Sequence, residues 1–214
     1  MKLKHLAVGA ATVGLIAAAG PAFAAGPPYT VAVGGNSAPG TETITAASTG
    51  AIVFNARNNA GTQINMNCTS VTGNGTVTRG TGVNPIATIT STTWSGCRVP
   101  GGAATVTQSG TWNITGTGTN ATAGTESIAG YVGNVTASVA TTPNTAICSF
   151  TVTGQANGSF NEATQQLVVA ETGFTGNLTL SGVSGCLSQL QNGNRANFSA
   201  TLNVSSPNGA INLS

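Results

Sequence analysis

The sequence ATITSTTWSGC, residues 87–97, combines three features that recur along the chain: a run of β-branched residues, an aromatic side chain and a cysteine. Its first ten residues align without a gap over residues 167–176, LVVAETGFTG, where the aromatic residue is again followed by one small residue and a glycine. A tract that recurs in this way within one chain predicts an internal duplication.

The spacing between cysteines and aromatic residues supports the duplication. Cys68 precedes Trp94 by 26 positions, and Cys148 precedes Phe174 by the same number. A shared spacing of this kind is harder to obtain by chance than a match among Thr, Ser and Gly residues. We therefore predict two repeat units inside one all-β region, with the units at about residues 62–118 and 142–208 and the region at residues 25–214.

The first 24 residues have the layout of a cleavable secretory signal peptide. Lys2 and Lys4 precede an apolar run over residues 6–19, and the triplet AFA at residues 22–24 is a small-residue cleavage site. The apolar run is shorter than the roughly 20 residues that span a bilayer, and no cysteine follows the cleavage site to carry a lipid. We expect cleavage after residue 24 and a secreted, extracellular or cell-envelope protein with no covalent membrane anchor.

All four cysteines lie after the predicted signal peptide. An even number of cysteines in an exported chain favours disulfides over free thiols, and four cysteines allow three pairings. If each repeat unit carries its own bridge, the pairs are Cys68 with Cys97 and Cys148 with Cys186. Zinc is the alternative, but zinc ligands usually come in close pairs, whereas the nearest cysteines here are 29 positions apart.

The region after the signal carries many strand signals and almost no helical ones. Val135, Ala137 and Val139 alternate with other residues, and the apolar residues of 198–204 alternate with polar ones. Asn-Gly dipeptides separate many of these runs and are typical of tight turns between strands. Ten or more short antiparallel strands predict a β-sandwich or a barrel, and the pattern does not choose between them.

Charged residues are scarce after the signal, which excludes most catalytic designs. Asp is missing from the whole chain, and both lysines and the only histidine fall within the first five residues. The chain therefore cannot build a Ser-His-Asp triad, a Cys-His pair or a Schiff-base lysine. A glycosidase-type glutamate pair stays open, formed by Glu162 and Glu171 at nine positions apart. Solvated turn carboxylates are the ordinary alternative, so we expect no enzyme and no catalytic residue.

Metal and nucleic-acid binding also lack the residues they need. Calcium loops use several closely spaced carboxylates, and transition metals use histidine or free cysteine. The arginines of the exported region are scattered along the sequence and supply no basic patch for a phosphate backbone. We expect no metal, no cofactor and no nucleic-acid partner.

Three aromatic residues are candidates for stacking against a ligand: Trp94, Trp112 and Tyr131. Exposed, coplanar tryptophans would form a platform for a sugar ring, with Asn, Thr and Ser side chains supplying hydrogen bonds. In the alternative, Trp94 and Phe174 occupy equivalent core positions beside the disulfides of the two units. We favour the core interpretation, because a chain with few large apolar side chains needs them inside.

The chain resembles the uncharacterised secreted, Thr/Gly/Asn-rich, all-β proteins that are common in actinobacteria. The likeness rests on the signal at residues 1–24, on the Thr/Gly/Asn-rich body, and on units that begin Cys68-Thr69 and close on WSGC at residues 94–97. A fainter similarity is to the exported activator-of-alkane-oxidation proteins of other bacteria. Both resemblances imply a surface or envelope role without catalytic residues.

These observations predict a non-enzymatic secreted or cell-surface protein with a structural or adhesive role. One alternative is a β-sandwich module that binds a carbohydrate or an apolar ligand. Another is a β-barrel pore of the cell envelope, which low charge and strand alternation also suit. The expected partner is a surface or envelope component of unidentified chemistry, and self-association is a further option.

Overall fold

The computed structural model describes residues 26–119, 124 and 126–214. The signal predicted at residues 1–24, with its cleavage site, lies outside the described residues. The described chain is all-β, as the sequence predicts. Its Val, Ile and Thr residues favour strands because β-branched side chains fit a pleated surface, and Gly and Asn residues occupy many of the turns between them.

The described residues form fifteen strands and one short 3-10 helix. In chain order these are β1 (Tyr29–Val33), β2 (Gly40–Ser48), β3 (Ile52–Arg57), β4 (Gln63–Cys68), β5 (Ser70–Val83), β6 (Ala87–Ser95), β7 (Cys97–Val99), β8 (Gly102–Gln108), β9 (Trp112–Gly116), β10 (Ser127–Thr141), β11 (Cys148–Asn161), β12 (Gln166–Glu171), β13 (Leu178–Gly185), the helix (Cys186–Ser188), β14 (Arg195–Ser205) and β15 (Ile211–Leu213).

The strand pairings close on themselves. β2 pairs with β5, and the pairings continue through β6, β9, β10, β11, β12 and β14. β14 then pairs back with β2, and every one of these pairings is antiparallel. The ring has eight members, called wall positions below, so the sheet forms a closed barrel in which each wall position is paired with both neighbours along part of its length.

Five of the eight positions are each shared by two consecutive strands. β2 and β3 pair with successive parts of β14, and β4 continues into β5 after one residue. The same holds for β6 with β7, β8 with β9, and β12 with β13, so a second closed ring runs through β3, β4, β7, β8, β10, β11, β13 and β14. The chain therefore runs up and down around the barrel in sequence order.

Period-two alternation decides which side chains enter the barrel. In β5, Val71, Gly73, Gly75 and Val77 are buried, whereas the residues between them are exposed or half-buried. Successive strand residues point to opposite faces, so each wall strand sends one set of small or apolar residues inward. Glycine is required at position 75, because a Cβ there would lie 2.2 Å from the carbonyl oxygen of Thr88 on β6.

Two disulfides tie neighbouring positions of the wall, and both pairings are the predicted ones. Cys68–Cys97 links the end of β4 to the start of β7. Cys148–Cys186 links the start of β11 to the helix that follows β13. All four cysteines are buried. Each bridge therefore joins two adjacent wall positions in the core.

The first and last described strands cover one end of the barrel. β1 pairs with the end of β5 and with β15, and Val31 and Leu213 are fully buried. The Gln165 side chain accepts a hydrogen bond from Ile211 N at 2.8 Å and donates one to Ile211 O at 2.9 Å. A Glu162 oxygen accepts a hydrogen bond from the Leu213 N–H. The turn between β11 and β12 thus holds β15 in place.

Tyr29 anchors β1 in the same cap. Its side chain is buried, and its hydroxyl donates a hydrogen bond to the Gly118 carbonyl. Burial raises the pKa of the Tyr29 phenol above its ordinary value of 10.0. The hydroxyl therefore stays protonated, and keeps its role as a donor, at neutral pH.

The segment between β13 and β14 contributes buried side chains at the far end of those strands. Leu190 and Asn194 are both buried. Asn194 accepts a hydrogen bond from Gln191 N at 2.8 Å and donates one to Asn59 Oδ1 at 3.0 Å. Because Asn59 lies in the turn between β3 and β4, these contacts connect two different loops at that end of the barrel.

The double change Cys148→Ala/Cys186→Ala should lower the free energy of unfolding by about 4 kcal/mol, because the bridge closes a loop of 38 positions in the unfolded chain. The change Cys68→Ala/Cys97→Ala, with a loop of 29 positions, should cost slightly less. Urea denaturation measures both. A loss below about 1 kcal/mol in either variant would contradict a stabilising role for that bridge.

Candidate functional site

The barrel interior contains an apolar cavity of about 140 Å³. All eight wall positions contribute side chains to its lining, among them Ile44, Val71, Trp94, Trp112, Val139, Phe150, Leu167 and Phe198. An engineered cavity of about 150 Å³ in another apolar core stays dry and admits benzene or xenon. The space inside this barrel is therefore large enough for a small organic molecule.

Small side chains on the inner wall leave this space unfilled. Ala46, Gly73, Gly75, Ala137 and Ala156 all line the cavity. An eight-stranded barrel has an interior just wide enough for larger side chains to fill, or for one small ligand to occupy. Where several inward positions carry Ala or Gly, the second outcome is favoured.

Aromatic rings form part of the wall. Trp94 meets Phe198 edge to face, with ring centroids 6.0 Å apart and planes at 76°. Phe54 stacks on Phe150 with centroids 6.3 Å apart and planes at 11°. Aromatic rings add large contact area to a binding site, and these pairs fix the orientation of four of them.

The lining offers no hydrogen bond to a guest. Asn67, Asn74, Thr92 and Arg98 also border the cavity, but among the described residues no polar atom exposes surface to its wall. The indole N–H of Trp94 already donates to Thr92 Oγ1 at 2.9 Å. That of Trp112 is buried without a hydrogen-bond partner and exposes no surface to the cavity. A polar ligand would lose its bonds to water and gain none in return, at a cost of several kcal/mol. The cavity therefore suits a hydrocarbon or a similarly apolar molecule.

The structure brings together two of the three residues predicted as stacking candidates. Trp94, which is half-buried, and Trp112, which is 7% exposed, both line the cavity. Tyr131 is half-buried and does not line it. A ligand-stacking role for these residues stays a prediction, and Trp94 and Trp112 would exert it from inside the barrel rather than from an outer platform.

Phe174, which the repeat aligns with Trp94, does not line the cavity. It is buried in the loop between β12 and β13, and the guanidinium of Arg57 lies over its ring at 4.4 Å. Its backbone N–H donates to Asn197 Oδ1 at 2.7 Å. The two aligned aromatic residues therefore have different surroundings.

Glu171 is fully buried and is bound on both carboxylate oxygens. Its Oε1 accepts hydrogen bonds from Thr175 Oγ1 at 2.5 Å and from Asn177 Nδ2 at 3.2 Å. Its Oε2 accepts from Asn157 N at 3.1 Å and again from Asn177 Nδ2 at 3.2 Å. These donors hold the loop that leaves β12, which is a structural use of the carboxylate.

Glu162 and Glu171 do not form the glutamate pair that the sequence left open. Glu162 binds backbone N–H groups, those of Gly124 at 3.1 Å and of Leu213. The whole length of β12 separates the two residues, and its extended residues span roughly 17 Å. A glycosidase pair requires carboxyl groups about 5 to 9.5 Å apart. Each glutamate instead serves its own local network.

The described residues meet the requirements neither of a metal site nor of a membrane-spanning helix. No group of three or more His, Cys, Asp or Glu residues there is placed to hold a metal ion. The described residues also contain no helix with the length and apolarity to cross a membrane. The two disulfides indicate an oxidising, non-cytoplasmic location.

No family model, curated protein or solved structure matches this chain.

The change Glu171→Gln should lower the free energy of unfolding by about 2 to 3 kcal/mol, because an amide NH₂ would face donors that now meet a carboxylate. Thermal denaturation at neutral pH measures the loss. Glu126→Gln, at a half-buried position, is the control and should change stability by less than about 1 kcal/mol. Equal stability of the two variants would contradict the structural role assigned to Glu171.

Proposed function

We propose that the protein is an exported, non-enzymatic binding protein that holds a small apolar molecule inside its barrel. The observation that carries this proposal is the cavity of about 140 Å³ lined by apolar side chains from all eight wall positions. Binding sites for small molecules are concave and mostly apolar, and polar groups in them fix orientation. Because no polar atom of the described lining is exposed to the cavity, the lining selects ligands by size and shape.

Two observations favour this function over a sugar-binding module and over a pore. A carbohydrate needs hydrogen-bond partners that the lining does not offer, which favours the apolar ligand over the sugar. A pore needs a polar lumen and an apolar outer face. The alternation in β2 is the reverse, with Thr41, Thr43 and Thr45 exposed and Ile44 buried against the core.

The structural or adhesive role that composition predicts stays a prediction. The large apolar side chains exposed by the described residues are Val53, Ile147 and Leu187. Extended apolar patches mark protein interaction surfaces, and three such side chains are too few to form one. The interior therefore supports a function more specifically than the outer surface does.

Export and the internal duplication belong to the same proposal. The disulfides support folding in an oxidising compartment, which agrees with a secretory signal at residues 1–24. Residues 40–116 and 127–205 each supply four consecutive wall positions, and in each half the disulfide joins the second position to the third. This shared arrangement supports descent of the two halves from one four-stranded unit.

Titration with benzene tests the proposed function. Both tryptophans of the chain line the cavity, so benzene should change the tryptophan emission of the native protein. At ten times its Kd, benzene should stabilise the fold by about 1.4 kcal/mol and raise the melting temperature by about 3 to 6 °C. Methyl glucoside should do neither.

A pair of neighbouring alanines in β2 provides the matched control. Ala46 lines the cavity, whereas Ala47 is exposed on the outer face. Ala46→Phe fills the cavity with a ring and should weaken benzene binding at least tenfold, while Ala47→Phe should bind as the unchanged protein does. Equal affinity of the two variants, or no binding by the unchanged protein, would contradict the proposal.

A further inference from the structure

The barrel wall has a gap in its strand pairing between β6 and β8. β6 pairs with β9 up to Ile89, and β7 pairs with β8 from Cys97 onward. Between these two points, residues 90–96 and 105–111 form no pairing with each other, although β6 is paired on its other side with β5 and β8 with β10. Cα atoms of β6 and β8 nevertheless stay within 8 Å of one another there. The unpaired stretch, called the slit below, is therefore a seam without ladder hydrogen bonds and not an open hole.

Both ends of this slit are fixed. At one end, Gln108 crosses it, since its Nε2 donates to Ile89 O at 3.2 Å as well as to Gly110 O at 2.9 Å. At the other end, the disulfide between Cys68 and Cys97 holds β7 where pairing with β8 resumes. The wall strands are thus tied above and below an unpaired stretch.

The slit lies against the cavity. Thr92 and Trp94 on the β6 side and Val106 on the β8 side line the cavity, and all three are half-buried rather than buried. β1 and β15 lie over one end of the barrel, and the segment between β13 and β14 lies at the other. At that second end, a surface pocket shares Asn67, Arg98 and Val99 with the cavity lining. The slit is a stretch of wall beside the cavity where no ladder hydrogen bonds would have to break for a molecule to pass.

Trp94 is the largest side chain on the rim of the slit. Its indole N–H is tethered to Thr92 Oγ1, which lies two residues back on the same strand. Its ring also meets Phe198 of β14 across the barrel interior, at 6.0 Å between centroids. One side chain therefore touches both the rim and the opposite part of the lining.

We propose that the apolar ligand enters and leaves the cavity sideways, through the slit between β6 and β8, and that the Trp94 ring is the gate of this passage. The inference rests on the proposed function, because it concerns the route to the same cavity. It assigns to Trp94 a role in the rates of binding and release, in addition to the contact with the ligand that it shares with the other lining residues.

Bridging the slit tests the route. Thr93 and Thr107 are exposed and lie near the middle of its two sides, outside the cavity lining. Thr93→Cys/Thr107→Cys, bridged after purification with dibromobimane, should slow benzene association and dissociation at least tenfold and leave Kd within twofold. NMR relaxation dispersion of benzene gives the rates. The control is Ser138→Cys/Thr151→Cys, in which the reagent joins two residues that are already paired in the β10–β11 ladder. This bridge should leave the rates unchanged.

Trp94→Ala provides a second test that needs no bridge. Opening the gate should raise the association rate at least tenfold, whereas Val169→Ala, which trims the lining on β12, should change only Kd and the dissociation rate. If benzene binds but association is unaffected by the bridge or by Trp94→Ala, the sideways route is wrong and the binding function stands. If benzene does not bind the unchanged protein, the proposed function and the route both fail.

Discussion

The antiparallel pairing of β14 with β2 and β3 is the interaction on which the rest of the structure depends. It joins the last wall strand to the first and turns a meandering sheet into a closed ring of eight positions. Closure fixes the diameter of the interior, so the side chains that point inward must either fill that interior or leave a space. Everything inferred about function follows from the second outcome.

The unfilled interior lowers stability, and the fold offsets that loss elsewhere. A cavity of about 140 Å³ costs about 3 kcal/mol at the measured dependence on cavity volume. Each of the two disulfides raises the free energy of unfolding by a similar amount, because it restricts the unfolded chain. An apolar ligand would regain contacts that the empty wall lacks. A chain with few large apolar residues can therefore keep a hollow core.

Part of this structure was predictable from the sequence, because part of it is local or repeated. Alternating β-branched runs gave the strands, and the common spacing of Cys68 to Trp94 and Cys148 to Phe174 gave the correct disulfide pairs. The cavity was not predictable, because its lining comes from eight distant segments and its volume depends on their combined side-chain sizes. The slit depends on pairing that is missing between β6 and β8, for which no local pattern is diagnostic. Glu162 and Glu171 do not form a catalytic pair, because the extended strand β12 lies between them.

The central claim is that the barrel interior is an accessible apolar site, and a crystal structure determined under xenon pressure tests it most directly. Xenon binds apolar cavities without hydrogen bonds, so the electron density reports position independently of ligand chemistry. A xenon atom is expected inside the ring of strands, in contact with residues such as Phe54, Trp112 and Phe150. An interior that is filled by ordered water, or that has collapsed and holds no xenon, would contradict it.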